Sequence, residues 1–292
     1  MGAWRVSGRG HLGGTDRTHV DRLRRACEAA EHLDLKVELD EADHLDRPIH
    51  FLAFAGDELI GYAGLTAGDE AEACGMVHPS WQRRGIATEL LAELRGAAAS
   101  LGRESILVIC EDAAPVGLAW MQRLGADLES AERRMVVTLS AAAASRPGTD
   151  SPLEVRPAAE TDHHSVVAII GEDSSDYPGE QRLVGLDGGE LVGTLRLTES
   201  SRRTMIYGFV IDEGRRGTRL GTRMLEAMMT RLRAEGVPEV GLEVDPENTP
   251  AVRLYERFGF ETVTTYRYMR LPVTPPAPPG PGPAPGRRGG VR

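Results

Sequence analysis

Two halves of this 292-residue chain keep a single spacing across four landmarks, and that duplication limits the folds open to it. Gln82 maps onto Arg216, Gly102 onto Gly236, Gly125 onto Gly259 and Met135 onto Met269, each 134 residues on. Self-similarity held at one offset marks a repeated structural unit. Each copy must therefore carry its own core, and an apolar content of 41% supplies enough side chains for two.

The periodicities read as the same element order twice. Helix spacing runs from Thr18 to His32. Two short apolar runs, His50 to Ala55 and Glu58 to Leu65, are joined by Gly56-Asp57 as a hairpin. The second copy repeats that hairpin at Arg182 to Leu186 and Glu190 to Leu197, and Glu58-Leu59-Ile60-Gly61 matches Glu190-Leu191-Val192-Gly193. A strand (Ala73 to Val77; Met205 to Ile211), a glycine-containing turn and a long amphipathic helix come next. Gly102 and Gly236 stand just past those helices, where a left-handed residue is needed. Strands Ser105 to Cys110 and Glu239 to Asp245 follow, then a shorter helix. Arg133 to Leu139 and Val263 to Leu271 are expected to close the first and second copies respectively.

This reading gives an α/β chain of two tandem domains, each a twisted mixed sheet flanked by helices. Residues 1–16 are expected as a flexible arm, 17–139 as the first domain, 140–152 as a linker and 153–271 as the second domain. Residues 272–292, rich in proline and glycine, are expected to be disordered.

A net charge of −10 argues against nucleic acid as a generic partner. Three cysteines without paired spacing indicate neither a disulfide frame nor a metal knuckle. No secretory leader or membrane-length apolar run is seen, so a cytoplasmic protein is expected, as monomer or homodimer. Lys36 is the only lysine.

The chemistry concentrates in the turn. A helix that starts directly after a buried strand aims unpaired amides, and its dipole, at whatever lies there. Glycine lets main chain approach phosphate oxygens. Gln82-Arg83-Arg84-Gly85-Ile86-Ala87 has this form, and so does Arg216-Gly217-Thr218-Arg219-Leu220-Gly221. Both resemble the Gln/Arg-x-x-Gly-x-Gly/Ala signature of the GNAT (Gcn5-related N-acetyltransferase) family. Asn248-Thr249-Pro250-Ala251-Val252-Arg253-Leu254-Tyr255 through Phe260 is similar to that family's Asn-x-x-Ala-x-x-Leu-Tyr segment. The likeness spans about residues 18 to 271, and the tandem arrangement resembles that of the mycothiol synthase group.

The resemblance implies acetyl-CoA as donor, a small-molecule or peptide amine as acceptor, and no metal. Carried over by position, the first copy's donor contacts are Gly75, Met76, Val77, Arg83, Arg84, Gly85, Ile86, Ala87 and Thr88. In the second they are Phe209, Val210, Ile211, Arg216, Gly217, Thr218, Arg219, Leu220, Gly221 and Thr222, with Asn248 and Arg253. Arg219 departs from the pattern, standing where the first copy has Gly85. It either crowds the phosphates or points away in an ordinary helical conformation.

In the family the acid that protonates the thiolate is often a tyrosine, and Tyr255 occupies that place; its counterpart Met121 cannot donate a proton. Asn248 likewise maps onto Ala114. Strand alternation sets Glu243 and Asp245 on the face opposite Val240, Leu242 and Val244, which makes Glu243 a candidate base or a cation-binding group. Its counterpart is Ile109. The Val210 amide is the expected oxyanion donor. Catalysis is thus expected in the second copy, with the first binding CoA without turnover or serving as scaffold. Mycothiol synthase-like proteins carry a glutamate on the fourth strand of the second copy, where this chain has Met205.

Other features are weaker. His78 is expected to cap a turn, Asp162-His163-His164 to open a helix, and Trp81 either to stack on adenine or to pack on the surface. The acidic segment 172–180 suits a cationic acceptor. Two alternatives to a general amine acetyltransferase stand: acetylation of a cysteinyl pseudo-disaccharide of the mycothiol type, and a CoA-sensing module without turnover.

Overall fold

The computed structural model describes residues 3–37, 49–66, 70–139, 153–171, 179–199 and 203–274. The chain divides into two compact units, one of residues 1–131 with 266–292, the other of residues 132–265. Its elements in chain order are β1 (Arg5–Arg9), α1 (Gly14–Glu31), β2 (His50–Ala55), β3 (Glu58–Leu65), β4 (Glu72–Val77), α2 (Ile86–Ser100), β5 (Ser105–Glu111) and α3 (Pro115–Arg123). The order continues with β6 (Asp127–Thr138), β7 (Glu154–Pro157), α4 (His163–Ile170), β8 (Glu180–Asp187), β9 (Glu190–Glu199) and β10 (Thr204–Ile211). It ends with α5 (Leu220–Ala234), β11 (Glu239–Val244), α6 (Thr249–Arg257) and β12 (Glu261–Pro272).

In the first unit the strands lie in the order β1-β2-β3-β4-β5-β12. All neighbours are antiparallel except β4 and β5, which run parallel. Helices α2 and α3 cover one face, where Ile86, Leu90 and Leu94 meet Ile60, Ala63 and Ile106. Helix α1 covers the other, where Val20, Leu23 and Cys27 meet Leu52, Tyr62 and Met76. The second unit repeats the plan in the order β6-β11-β10-β9-β8-β7, with β10 and β11 parallel. Met224, Leu225, Met228 and Leu232 of α5 fill its core against Val240, Leu242 and Val192.

The matched hairpin glycines have a packing reason. A Cβ on Gly61 would stand 2.8 Å from Ile86 Cγ2, and one on Gly193 would stand 2.7 Å from both Ile211 Cδ1 and the Val210 carbonyl. No side chain fits at that separation.

Four expectations are corrected. Residues 5–9 are not a loose arm: β1 pairs with β2 from Arg5↔Phe54 to Arg9↔His50, and α1 begins at Gly14, with Arg9 ion-paired to Asp16 at 3.2 Å. Strand β7 was likewise unforeseen. The third correction concerns the closing strands, which are exchanged. Residues 133–138 pair with β11 from Arg133↔Val244 to Thr138↔Glu239, whereas residues 266–272 pair with β5 from Tyr266↔Glu111 to Pro272↔Ser105. The two strands are physically alike: Met135 is buried in the second unit's core and Met269 in the first's. Either strand suits either sheet edge, so local pattern does not choose between them. The expected linker at 140–152 lies outside the described residues, as do residues 275–292 of the expected tail and 172–178 of the acidic segment 172–180; the tail's first residues are not disordered, since Pro272 ends β12 opposite Ser105 and Val273 is buried in the first unit's core.

Candidate functional site

Each unit has a gap in its sheet. Strands β4 and β5 pair only at Glu72↔Leu107 and Ala73↔Val108, and β10 and β11 only from Thr204↔Val240 to Ile206↔Leu242. Beyond those pairs the parallel strands part and leave main-chain groups unladdered, the condition under which a ligand can take a strand's place.

At the mouth of each gap stands the turn. His78 Nδ1 accepts from the Ser80 amide at 3.3 Å, and Asp212 Oδ1 accepts from the Gly214 amide at 3.1 Å, so the expected cap recurs 134 residues on in a different residue type. Gln82 has φ −61°, Arg83 +61° and Gly85 +90°, and α2 then begins. The second turn has Arg216 at −61°, Gly217 at +79° and Arg219 at +65°. Alternating handedness of this kind gathers successive N–H groups into a concave anion-binding nest. The two turns divide the left-handed positions oppositely: glycine second in one, glycine first in the other. Arg219 is therefore not in an ordinary helical conformation. It is the left-handed N-cap of α5, as Gly85 is of α2.

In the first unit the gap opens into a cavity of about 490 Å³. Of the first-copy donor contacts, Gly75, Met76, Val77, Arg83, Gly85, Ile86, Ala87 and Thr88 all line it. Arg84 does not; its guanidinium lies 4.7 Å over the Trp81 ring and donates to the Ser80 carbonyl at 3.1 Å. Trp81 lines the cavity too. The His78 amide donates to the Ile60 carbonyl at 2.8 Å, so by alternation the Val77 and Gly75 amides face the gap. Strand β4 pairs regularly with β3 from Gly61↔Val77 to Leu65↔Ala73.

The second unit differs at that strand. Between Tyr207↔Arg196 and Val210↔Thr194 the register slips by one residue, a β-bulge, with Gly208 at φ +53°. The Asp212 amide donates to the Val192 carbonyl at 2.9 Å. Alternation then turns the Val210 amide toward β9 and the Ile211 amide toward the gap. The Val210 amide, expected as the oxyanion donor, is thus turned away from the gap, and Phe209 stands in the bulge beside it. Arg216 to Thr222 form the turn and the first turn of α5, with Leu220 buried in the core and Thr218 Oγ1 donating to the Arg215 carbonyl at 2.6 Å. Arg216 is ion-paired with Glu213 at 3.8 Å.

Asn248 is the N-cap of α6, its Oδ1 accepting from the Ala251 amide at 3.3 Å; Ala114 at the start of α3 makes no such bond. Arg253 is exposed and borders a surface hollow of about 640 Å³ with Pro250, Glu256 and Arg257, which takes in no residue of the gap. Tyr255 is buried on the α5 face against Phe260, ring centroids 5.8 Å apart, and its hydroxyl makes no hydrogen bond among the described residues. Burial pushes its pKa up to about 12, so the hydroxyl keeps its proton.

Glu243 is the first β11 residue beyond the last parallel pair and lies on the sheet face opposite α5. Its Oε1 accepts from Arg134 Nη2 at 2.6 Å and Nε at 3.2 Å, with side chains 5% and 13% exposed. No local pattern signals this pair, which depends on the exchanged strand. Two more ion pairs share the face, Arg196 with Glu180 at 3.1 Å and Arg203 with Glu239 at 2.9 Å. Met205 adjoins Gly241 there, buried and uncharged. The bulge, by contrast, had a sequence signal in Gly208 inside a strand.

Asp162 does not act with its histidine neighbours. It forks onto Arg156 at 2.6 and 3.0 Å, which holds its carboxyl down at about 2. Among the described residues no group of three or more His, Cys, Asp or Glu is placed to hold a metal ion, and no helix is long and apolar enough to cross a membrane.

The family model of the acetyltransferase (GNAT) family matches twice, at residues 18–126 and 151–260, and the chain belongs to that family. A mycothiol acetyltransferase of Actinosynnema mirum is 31% identical, covering 84% of this chain and 93% of its own length. Another from Sanguibacter keddieii is 29% identical over 89% and 95%. Among solved structures, a GCN5-related N-acetyltransferase from Sphaerobacter thermophilus superposes with a TM-score of 0.71 at 21% identity, covering 93% of this chain and 96% of its own. A tandem GNAT protein from the clavulanic acid biosynthesis pathway gives 0.68 at 16%, covering 94% and 100%. The protein is a tandem GNAT acetyltransferase.

Proposed function

We propose that the second unit transfers the acetyl group of acetyl-CoA to the amine of a small polar acceptor. One observation supports this reading: β10 is bulged beside the second unit's sheet gap, while α6, the helix that follows β11, carries Tyr255 with its hydroxyl buried and still protonated. The donor lies with its pyrophosphate on the 216–222 turn and its thioester in the gap. Asn248 and Arg253 sit along its course. The acceptor comes from the opposite face, where Glu243 receives the ammonium and water removes its proton. Arg134 fixes that carboxylate in place through their ion pair at 2.6 Å.

The amine lone pair attacks the thioester carbon, and the Phe209 amide holds the oxygen that becomes negative. Collapse breaks the carbon–sulfur bond. Tyr255 gives its proton to the departing thiolate and recovers one from solvent, while water takes the second proton from the acylated nitrogen to leave the neutral amide. The first unit binds CoA without turnover: Met121 and Ile109 stand where the second has Tyr255 and Glu243.

The relatives named mycothiol acetyltransferase favour a second reading of the acceptor, as a cysteinyl pseudo-disaccharide. Mass spectrometry of an amine panel incubated with acetyl-CoA tests both. Acetylated product dependent on Tyr255 is expected. Product from the cysteinyl amine alone selects the second reading, and no product from any amine sinks both.

A further inference from the structure

The first unit's cavity is lined from both faces of the sheet: Leu90 and Met121 belong to the α2 side, Cys27 and Leu33 to the α1 side. It therefore passes through the gap between β4 and β5. With the donor's phosphates on the 82–87 turn, an amine would have to arrive on the α1 side. That side is occupied. Residues 33–37 leave α1 and cross it, with Leu33 and Leu35 among the cavity's walls.

The strap is fastened along its length. The Asp34 amide donates to Glu111 Oε2 at 3.1 Å, and the Leu35 amide to Glu28 Oε1 at 3.3 Å. The Asp34 carbonyl accepts from the Tyr266 hydroxyl at 2.6 Å. Lys36 Nζ donates to the Tyr268 hydroxyl at 2.7 Å and lies 5.4 Å over that ring and 5.8 Å over Tyr266. The strap's own side chains toward the gap, Leu33 and Leu35, stand beside Tyr62, Met76 and Ile109, and the two carboxylates in the lining are engaged, Glu111 by the Asp34 amide and Glu31 by Gln82 Nε2 at 2.7 Å.

We infer that the first cleft is an acyl-thioester binding site whose acceptor end is replaced by an apolar chamber. It takes short-chain acyl-CoA, seats the acyl group against Leu33 and Leu35, and does not pass it on. The inference rests on the reading that these clefts take CoA, and it adds a ligand preference that the second unit's chemistry does not require. Two of the cleft's three thiols do not compete for the acyl group, since burial pushes Cys27 up to about 12 and Cys110 up to about 11, leaving both uncharged.

The chain carries its own probe. Its three tryptophans are Trp4, Trp81 and Trp120; the last two line this cavity, and the second unit has none. Tryptophan fluorescence of the full chain, titrated with CoA, acetyl-, propionyl- and butyryl-CoA, reads the first cleft alone. Affinity is expected to rise by about fourfold per added methylene. In Leu35→Asp the rise disappears while CoA itself still binds. In Leu35→Ala it extends to hexanoyl-CoA, which guards against misfolding of the first variant. Equal affinity for CoA and all three thioesters overturns the inference, and so does a saturable fluorescence response to free amines. Absence of any response to CoA overturns it as well, yet leaves the second unit's reaction to be judged separately by acetylated product.

Discussion

The two units share a sheet gap, a nest of amides and a closing strand bearing a buried methionine, yet they differ at every position to which we assign a step of acyl transfer. In one, Met121, Ile109 and Ala114 meet a regular β4 and an apolar strap. In the other, Tyr255, Glu243 and Asn248 meet a bulged β10 and a face of arginine–glutamate pairs. The shared parts are those that complete the fold and those we propose to bind a pyrophosphate. Holding a nucleotide thioester thus asks mainly for main-chain geometry, whereas opening it asks for particular side chains, and duplication let the two demands separate.

The largest expected break in the comparison is Tyr255→Phe, which makes the second cleft resemble the first. Turnover should fall by about a hundredfold or more with donor affinity little changed. Steady-state kinetics beside direct donor titration checks this, and undiminished kcat would remove the acid role. Arg134→Met tests the polar face. It strands a buried carboxylate and should cost about 3 kcal/mol, read by urea unfolding. The double variant with Glu243→Met should recover much of that loss, because a buried pair replaced whole by apolar groups is close to neutral.

Gly85→Asp addresses the first turn. It adds negative charge to the nest at a left-handed position, and CoA affinity there should weaken by about tenfold. Calorimetry showing two sites of unchanged affinity would contradict it. The smallest effect concerns alkaline pH. An unfolded tyrosine gives up its proton near its ordinary value of 10, while native Tyr255 keeps its own to about 12. The native state therefore binds more protons in that window, and stability falls as pH rises through it. Tyr255→Phe should show a shallower decline in melting temperature from pH 10 to 12.

Much of the architecture could be read from the residues. The long helices after each turn and the hairpins follow from periodicity and one offset, while the stretches Gly75 to Val77 and Arg83 to Thr88, which line the gap save for Arg84, came from the family resemblance. What escaped the reading depends on partners distant in sequence or on backbone handedness. Arg5 to Arg9 carries no strand pattern of its own and is a strand because β2 offers an open edge. Arg219 looks helical by neighbourhood but takes the conformation its turn imposes. Arg134 and Glu243 lie 109 residues apart, and nothing local couples them. The direction of the Val210 amide was not legible because a single ladder bond, from Asp212 to Val192, sets the parity of the strand.

The crossed ownership of the terminal strands bears on biosynthesis. Residues 1–131 include the whole acyl-binding cavity lining, but their sheet stays one strand short until residue 272 has left the ribosome. The amino-terminal half therefore emerges first and matures last, with Leu107 of β5 uncovered until Tyr266 and Tyr268 arrive. A nascent chain halted before residue 266 would hold an unfinished edge, open to the wrong strand of a neighbouring polypeptide.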